Sequence, residues 1–111
     1  MSNQIKIKRG EGKTITFTIK SDGEVVDVST AEFTFCVKDN INDEEYIIKK
    51  LNVSFNTTQA ASGIISVIID ELDSDISSDI YVAELKIDFG GGIVDKSPNI
   101  AFEIEKAVIS L

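Results

Sequence analysis

Lys13-Thr14-Ile15-Thr16-Phe17-Thr18-Ile19-Lys20 is the stretch whose reading decides the fold class. Successive side chains of an extended chain point to opposite faces, so Ile15, Phe17 and Ile19 share one face and Thr14, Thr16 and Thr18 the other. Alternation of this kind, rich in β-branched residues, marks a strand with one face buried and one in water. Ser21-Asp22-Gly23-Glu24 follows at once and supplies a turn. Glycine accepts a positive φ there, and aspartate bonds its own backbone.

The same period recurs outward along the chain. Glu32-Phe33-Thr34-Phe35-Cys36-Val37-Lys38 places Phe33, Phe35 and Val37 inward. Asp39 to Glu45 reads as an acidic loop, and Tyr46 to Leu51 as a strand whose pattern Lys49 and Lys50 interrupt. Gly63 to Ile69 is apolar on nearly both faces, which suits a central strand with one face on the core and the other under a loop or a partner. Asp70 to Ser78 reads as a single helical turn crossing between sheets, with Asp70 as cap, Glu71 in the first turn, and Leu72 and Ile76 four apart. Tyr81 to Asp88 returns to strand, Gly90-Gly91-Gly92 makes a hairpin turn, and Ile100, Phe102 and Ile104 point one way in a last strand. Ile5 and Ile7 give a short first strand, and Pro98 stands just before the last one, where its missing N–H costs least.

Seven to eight short strands, with at most a one-turn helix, predict an all-β antiparallel β-sandwich, with a barrel as the alternative. The 111 residues are expected to form one domain, 1–111, whose core holds Phe17, Phe33, Phe35, Tyr81, Leu85 and Phe102. Tyr81 follows an acidic turn and opens a late strand, where Ig-like sandwiches place a corner tyrosine that bonds upstream backbone. The position two residues on is Ala83, and tryptophan is absent, so the expectation is Ig-like in architecture and not antibody-type.

Composition removes whole classes of function. Histidine is absent and cysteine occurs once, which excludes His-based acid–base catalysis, His-ligated metal and any disulfide framework. Cys36 reads as a buried reduced thiol with no histidine to activate it. Gly10-Glu11-Gly12-Lys13-Thr14 resembles the tail of a phosphate-binding loop, but Ile7 stands where the first glycine belongs and a strand follows instead of a helix. Asp70, Glu71, Asp73, Asp75 and Asp79 read as a solvated turn, since their spacing is not that of a calcium loop. The Asn52 and Asn56 sequons mean little without a secretory route, and no apolar leader lies between Met1 and Arg9. No catalytic, cofactor-binding or metal-ligating residue is expected, and no enzyme activity.

Net charge is −8, which opposes nucleic-acid binding, and no apolar run is long enough to cross a membrane. Residues 1–20 carry Lys6, Lys8, Arg9, Lys13 and Lys20 against Glu11, while the remaining 91 residues carry 6 lysines and 18 acids. Two readings stay open: solvated strand-edge lysines, or a basic end that docks on an acidic neighbour such as another copy of the chain. Ile64-Ile65-Ser66-Val67-Ile68-Ile69 supports a homo-oligomer by the same logic. In the alternative, a monomer, the extra isoleucines pack under the Asp39–Glu45 loop.

The landmarks taken together resemble the Ig-like domains of tailed-phage and prophage proteins, in particular the N-terminal domain of baseplate upper proteins. They are Arg9-Gly10 with Thr14 to Ile19, Val26-Asp27-Val28-Ser29-Thr30-Ala31, Phe33 to Lys38, Ala61-Ser62-Gly63-Ile64-Ile65, Ile80-Tyr81-Val82-Ala83-Glu84-Leu85-Lys86 and Phe102-Glu103-Ile104, spanning residues 5–106. The family shows glycine before the strand tyrosine, where this chain has Ile80. The resemblance implies a structural module of the virion tail or baseplate, made in the bacterial host cytoplasm, whose partners are other phage tail and baseplate proteins. The alternative is a bacterial surface Ig-like adhesion or carbohydrate-binding module, against which stand the missing leader and the lack of tryptophan to stack on sugar rings.

Overall fold

A computed structural model describes residues 4–110. Its strands are β1 (Gln4–Lys8), β2 (Lys13–Thr18), β3 (Lys20–Ser21), β4 (Glu24–Val25), β5 (Glu32–Lys38), β6 (Ile48–Lys50), β7 (Phe55–Asn56), β8 (Ile64–Ile69), β9 (Asp79–Gly90), β10 (Ile93–Lys96) and β11 (Ile100–Glu105). Two 3₁₀ turns, Asn52–Ser54 and Ala60–Ser62, are the only helical pieces among the described residues. The large sheet runs β1-β11-β9-β5-β6, with β10 also on β9, and the small sheet runs β2-β8-β7. The fold is thus the expected all-β sandwich.

Eleven strands appear where seven to eight were expected, because single runs are broken in two. The run beginning at Lys13 leaves the small sheet at Ile19, whose N–H donates to the Gly63 carbonyl at 2.7 Å. The chain then closes the β3–β4 ribbon, with Asp22 at φ 53° and Gly23 at φ 82°. Positive φ at both central residues gives the turn whose twist matches that of its strands. The closing run is broken as well. β10 and β11 lie on the same edge of β9, since Lys86 and Asp88 pair with β5 on the other edge. Lys96 faces Lys86 but Ile100 faces Ala83, so β10–β11 carries one extra residue around Pro98. That is a bulge, where a residue without an N–H costs no ladder bond. Ser97 stitches it: its N–H donates to the Leu85 carbonyl at 2.9 Å, and its Oγ accepts from the Leu85 N–H at 3.0 Å.

One pairing departs from the antiparallel expectation. β1 runs parallel to β11, Gln4 beside Ala101 and Lys8 beside Glu105. The first strand therefore covers the last, and Ile7 is fully buried between them and the core.

The core lies between the sheets. Phe33, Phe35, Val37, Tyr81, Leu85 and Phe102 are buried from the large sheet, and Ile65, Val67 and Ile69 from the small one. Phe35 is the junction: its ring centroid lies 5.8 Å from Phe17 on β2 and 6.2 Å from Phe102 on β11. Tilted aromatic pairs at these distances add about 0.5–1.5 kcal/mol each beyond area burial. Phe17 itself is half-buried and not fully enclosed as expected, because β2 is an edge strand of the small sheet and its inward side chains sit at the rim. Val28 is fully buried although it lies in no strand; its N–H donates to the Ala60 carbonyl at 3.0 Å. The Asp70 segment forms a turn capped as expected, but not the expected helical turn. Asp70 Oδ1 accepts from the Asp73 N–H at 2.8 Å and the Leu72 N–H at 3.0 Å, and the Ser74 N–H closes on the Asp70 carbonyl. It is a turn without helix, and Leu72 points to solvent while Ile76 packs on the core, so the two do not share a face.

Two substitutions test this packing. Phe35→Ala is expected to lower unfolding free energy by about 3–5 kcal/mol in chemical denaturation. Gly63 has φ 77°, and a Cβ there would stand 2.8 Å from the Ile19 carbonyl oxygen and 2.9 Å from that of Val26. Gly63→Ala is therefore expected to cost about 2 kcal/mol or more by the same measurement.

Candidate interaction surface

The large sheet turns its outer face to solvent, and the register places its side chains in rows. Lys49, Cys36 and Glu84 lie across β6, β5 and β9 in one row. Thr34, Lys86 and Lys96 form the next, across β5, β9 and β10. Lys38, Val82 and Ala101 form the row on the other side, across β5, β9 and β11. Each of these rows thus carries at least one lysine, and Val82 and Ala101 make an apolar strip at one end.

Tyr46 stands over the lysine rows. It is 48% exposed, and Lys38 Nζ and Lys49 Nζ lie 5.1 and 5.2 Å from its ring centroid. Ammonium groups at this range are drawn to the negative face of the ring. Two grooves, about 220 and 280 Å³, flank Tyr46, and Cys36, Glu84 and Lys96 line both. The apolar strip borders a wider groove of about 520 Å³ between Ile41 of the loop after β5 and Ile80, Val82 and Ala101. The Asp39–Glu45 loop therefore lies over the large sheet. It does not shelter the outer side of β8, where Ile68 stays 61% exposed.

Each sequence-predicted feature has a definite place here. Tyr81 is a corner tyrosine: its hydroxyl donates to the Ser77 carbonyl at 2.5 Å, in the connection from β8 to β9. Burial, with Asp39 and Asp79 nearby, pushes its phenol above the ordinary tyrosine range. Cys36 is not in the core as expected. It alternates with the inward Phe35 and Val37, so it lies half-buried on the outer face. Burial raises its thiol, opposed by Lys49, Lys86 and Lys38. Gly10 to Thr14 is a turn into β2, with the Glu11 N–H donating to the Lys8 carbonyl at 3.0 Å. The acidic run is dispersed into local bonds: Asp73 pairs with Lys50 at 2.6 Å and Asp75 with Arg9 at 3.0 Å. Among the described residues no three metal-ligating side chains converge. The pattern break at Lys49 and Lys50 is also explained. Lys49 faces outward to Tyr46, while Lys50, on the inward side at the sheet edge, reaches Asp73. The lysine patch was not foreseen, since its members are far apart in sequence and only the strand order gathers them.

The outer sheet face, with Tyr46 exposed and two lysines over its ring, is the contact surface this sandwich offers. The chain belongs to the BppU N-terminal domain family, whose profile matches residues 1–111. It is a phage tail or baseplate structural domain, which makes it a component of the virion tail that interacts with other tail proteins. Of the two function classes the sequence left open, the family decides for the virion. Among solved structures, the N-terminal domain of phage TP901-1 ORF48 is similar, with a TM-score of 0.63 and 13% identity over 92% of this chain and 84% of that one. At that identity the likeness shows the fold. No curated protein matches the chain.

The raised Tyr81 and Cys36 values fix an alkaline expectation. Both groups are held neutral by the fold, so their contribution is fully present below the ordinary values of 10.0 and 9.0 and is lost as pH rises through the folded values. Unfolding free energy is expected to fall as pH rises above the ordinary thiol value of 9.0 and on past the ordinary phenol value of 10.0, and to fall less in Tyr81→Phe. At neutral pH that substitution is expected to cost about 1 kcal/mol, since it deletes one hydrogen bond.

Proposed function

We propose that residues 1–111 act as one Ig-like domain of a phage or prophage baseplate, joining it to neighbouring tail proteins by surface contact and catalysing nothing. The family match along the whole chain carries this reading. The absence of histidine from the sequence, and a lone Cys36 thiol pushed up by burial, support the non-enzymatic part. Net charge of −8 supports a role without nucleic acid, because counterion release cannot favour a phosphate backbone on such a surface. No helix among the described residues is long and apolar enough to cross a membrane. Association with further copies is supported by the exposed Ile68 on β8. Synthesis in the bacterial host cytoplasm completes the reading.

The test is to purify phage particles from the strain that encodes the chain and locate it by gold-labelled antibody. Label at the tail tip is expected, with the protein recovered from particles by mass spectrometry. Recovery in the cell-wall fraction alone would overturn the reading. Light scattering of the isolated chain is expected to show mass above 12.1 kDa as concentration rises.

A further inference from the structure

We infer that the lysine patch around Tyr46 is the docking site for an acidic segment of a partner protein, whose carboxylates enter the two grooves beside the ring. The inference rests on the baseplate reading for the kind of partner and on the outer sheet face for the site. Lys38, Lys49, Lys86 and Lys96 come from β5, β6, β9 and β10 and line these grooves. None of the four has a carboxylate within 4.0 Å among the described residues, whereas Lys50 and Arg9 are paired. Glu84 is the acidic side chain that shares both grooves, and the Asp43-Glu44-Glu45 run precedes Tyr46 in the loop.

The arrangement has a cost that the fold alone does not repay. Lys86 and Lys96 are direct cross-strand partners, and like charges placed opposite destabilise a sheet. Their non-hydrogen-bonded position, set by the Ser97 N–H reaching the Leu85 carbonyl, is the one that brings side chains closest. A protein of net charge −8 has acids enough to neutralise four lysines and leaves these without a carboxylate partner, Lys38 Nζ donating instead to the Asp43 backbone carbonyl at 2.7 Å. Carboxylates arriving from outside relieve that repulsion and complement the local field. Tyrosine is also among the residues enriched in the anchors of protein interfaces, and Tyr46 is exposed here.

Groove size points to the same occupant. At about 220 and 280 Å³ they are smaller than ordinary small-molecule pockets of about 300–1,000 Å³, and they suit single side chains of a bound segment. A nucleic acid is disfavoured, because a phosphate backbone would track beyond the patch onto an acidic body.

The experiment titrates the full chain with poly-L-glutamate at low salt, followed by amide chemical shifts. Two quadruple variants of equal charge are compared. One carries Lys38→Gln, Lys49→Gln, Lys86→Gln and Lys96→Gln; the other carries Lys6→Gln, Lys8→Gln, Lys13→Gln and Lys20→Gln. The patch variant is expected to lose about tenfold in affinity and the other less than about twofold. Tyr46→Ala is expected to weaken binding and Tyr46→Phe to retain it. The patch variant is expected to melt no lower than the parent, which separates lost docking from lost folding. Equal losses in both quadruple variants, or tighter binding of oligodeoxythymidylate than of poly-L-glutamate, would overturn the proposal. So would self-association of the parent that the patch variant abolishes, since the occupant is then a second copy. Absence of the chain from phage particles would sink the baseplate reading and leave these affinities unchanged.

Discussion

The molecule depends on β9. This 12-residue strand is paired along both edges, with β5 on one side and with β11 and then β10 on the other. Its alternation assigns every neighbour a face. Tyr81, Ala83, Leu85 and Ile87 are buried against the small sheet, so Val82, Glu84, Lys86 and Asp88 must face out. A slip of one residue would exchange the two sets, exposing the core and burying charge, and this penalty holds the register. The bulge at Pro98 protects the same register, because it absorbs one extra residue without shifting β11.

Core and surface are therefore two readings of the same strands. Phe35 on β5 reaches Phe17 and Phe102, while its neighbour Cys36 opens on the groove beside Tyr46. Ile87 closes the core one position from Lys86, which faces Lys96 outside. Stability and contact chemistry are built on alternate residues, so the outer face can vary without disturbing the packing beneath. That separation suits a structural domain of a tail, which must keep its shape while matching its neighbours.

The sheet edges are managed by different means. β1 covers β11 and presents Lys6 and Lys8 to solvent, charged residues that discourage unwanted strand pairing. β6 is three residues long and tied through Lys50 to Asp73 in the turn after β8. That ion pair is less than one-quarter exposed at both side chains, so it is screened less than the open Arg9–Asp75 pair. It joins the rim of the large sheet to the segment that leaves the small one.

Much of the fold was legible in the residues themselves. Period two at Glu32 to Lys38 and at Ile100 to Ile104 gave both the strands and their buried faces, and the apolar run at Ile64 to Ile69 gave a strand without a face. Asp70 as a cap, Asp22-Gly23 as a turn and Tyr81 as a corner were readable because each acts through backbone a few residues away. Half-burial of Phe17 and the burial of Val28 were not, because each depends on what lies across the sandwich. The parallel seat of β1 on β11 and the meeting of Lys38, Lys49, Lys86 and Lys96 belong to the same group. The sequence by itself determined the strands, their inward faces and the local turns, since alternation and turn chemistry act over a few residues. The tertiary structure alone decided the strand order and the lysine patch, since hydrogen-bond pairing joins residues that no local pattern connects.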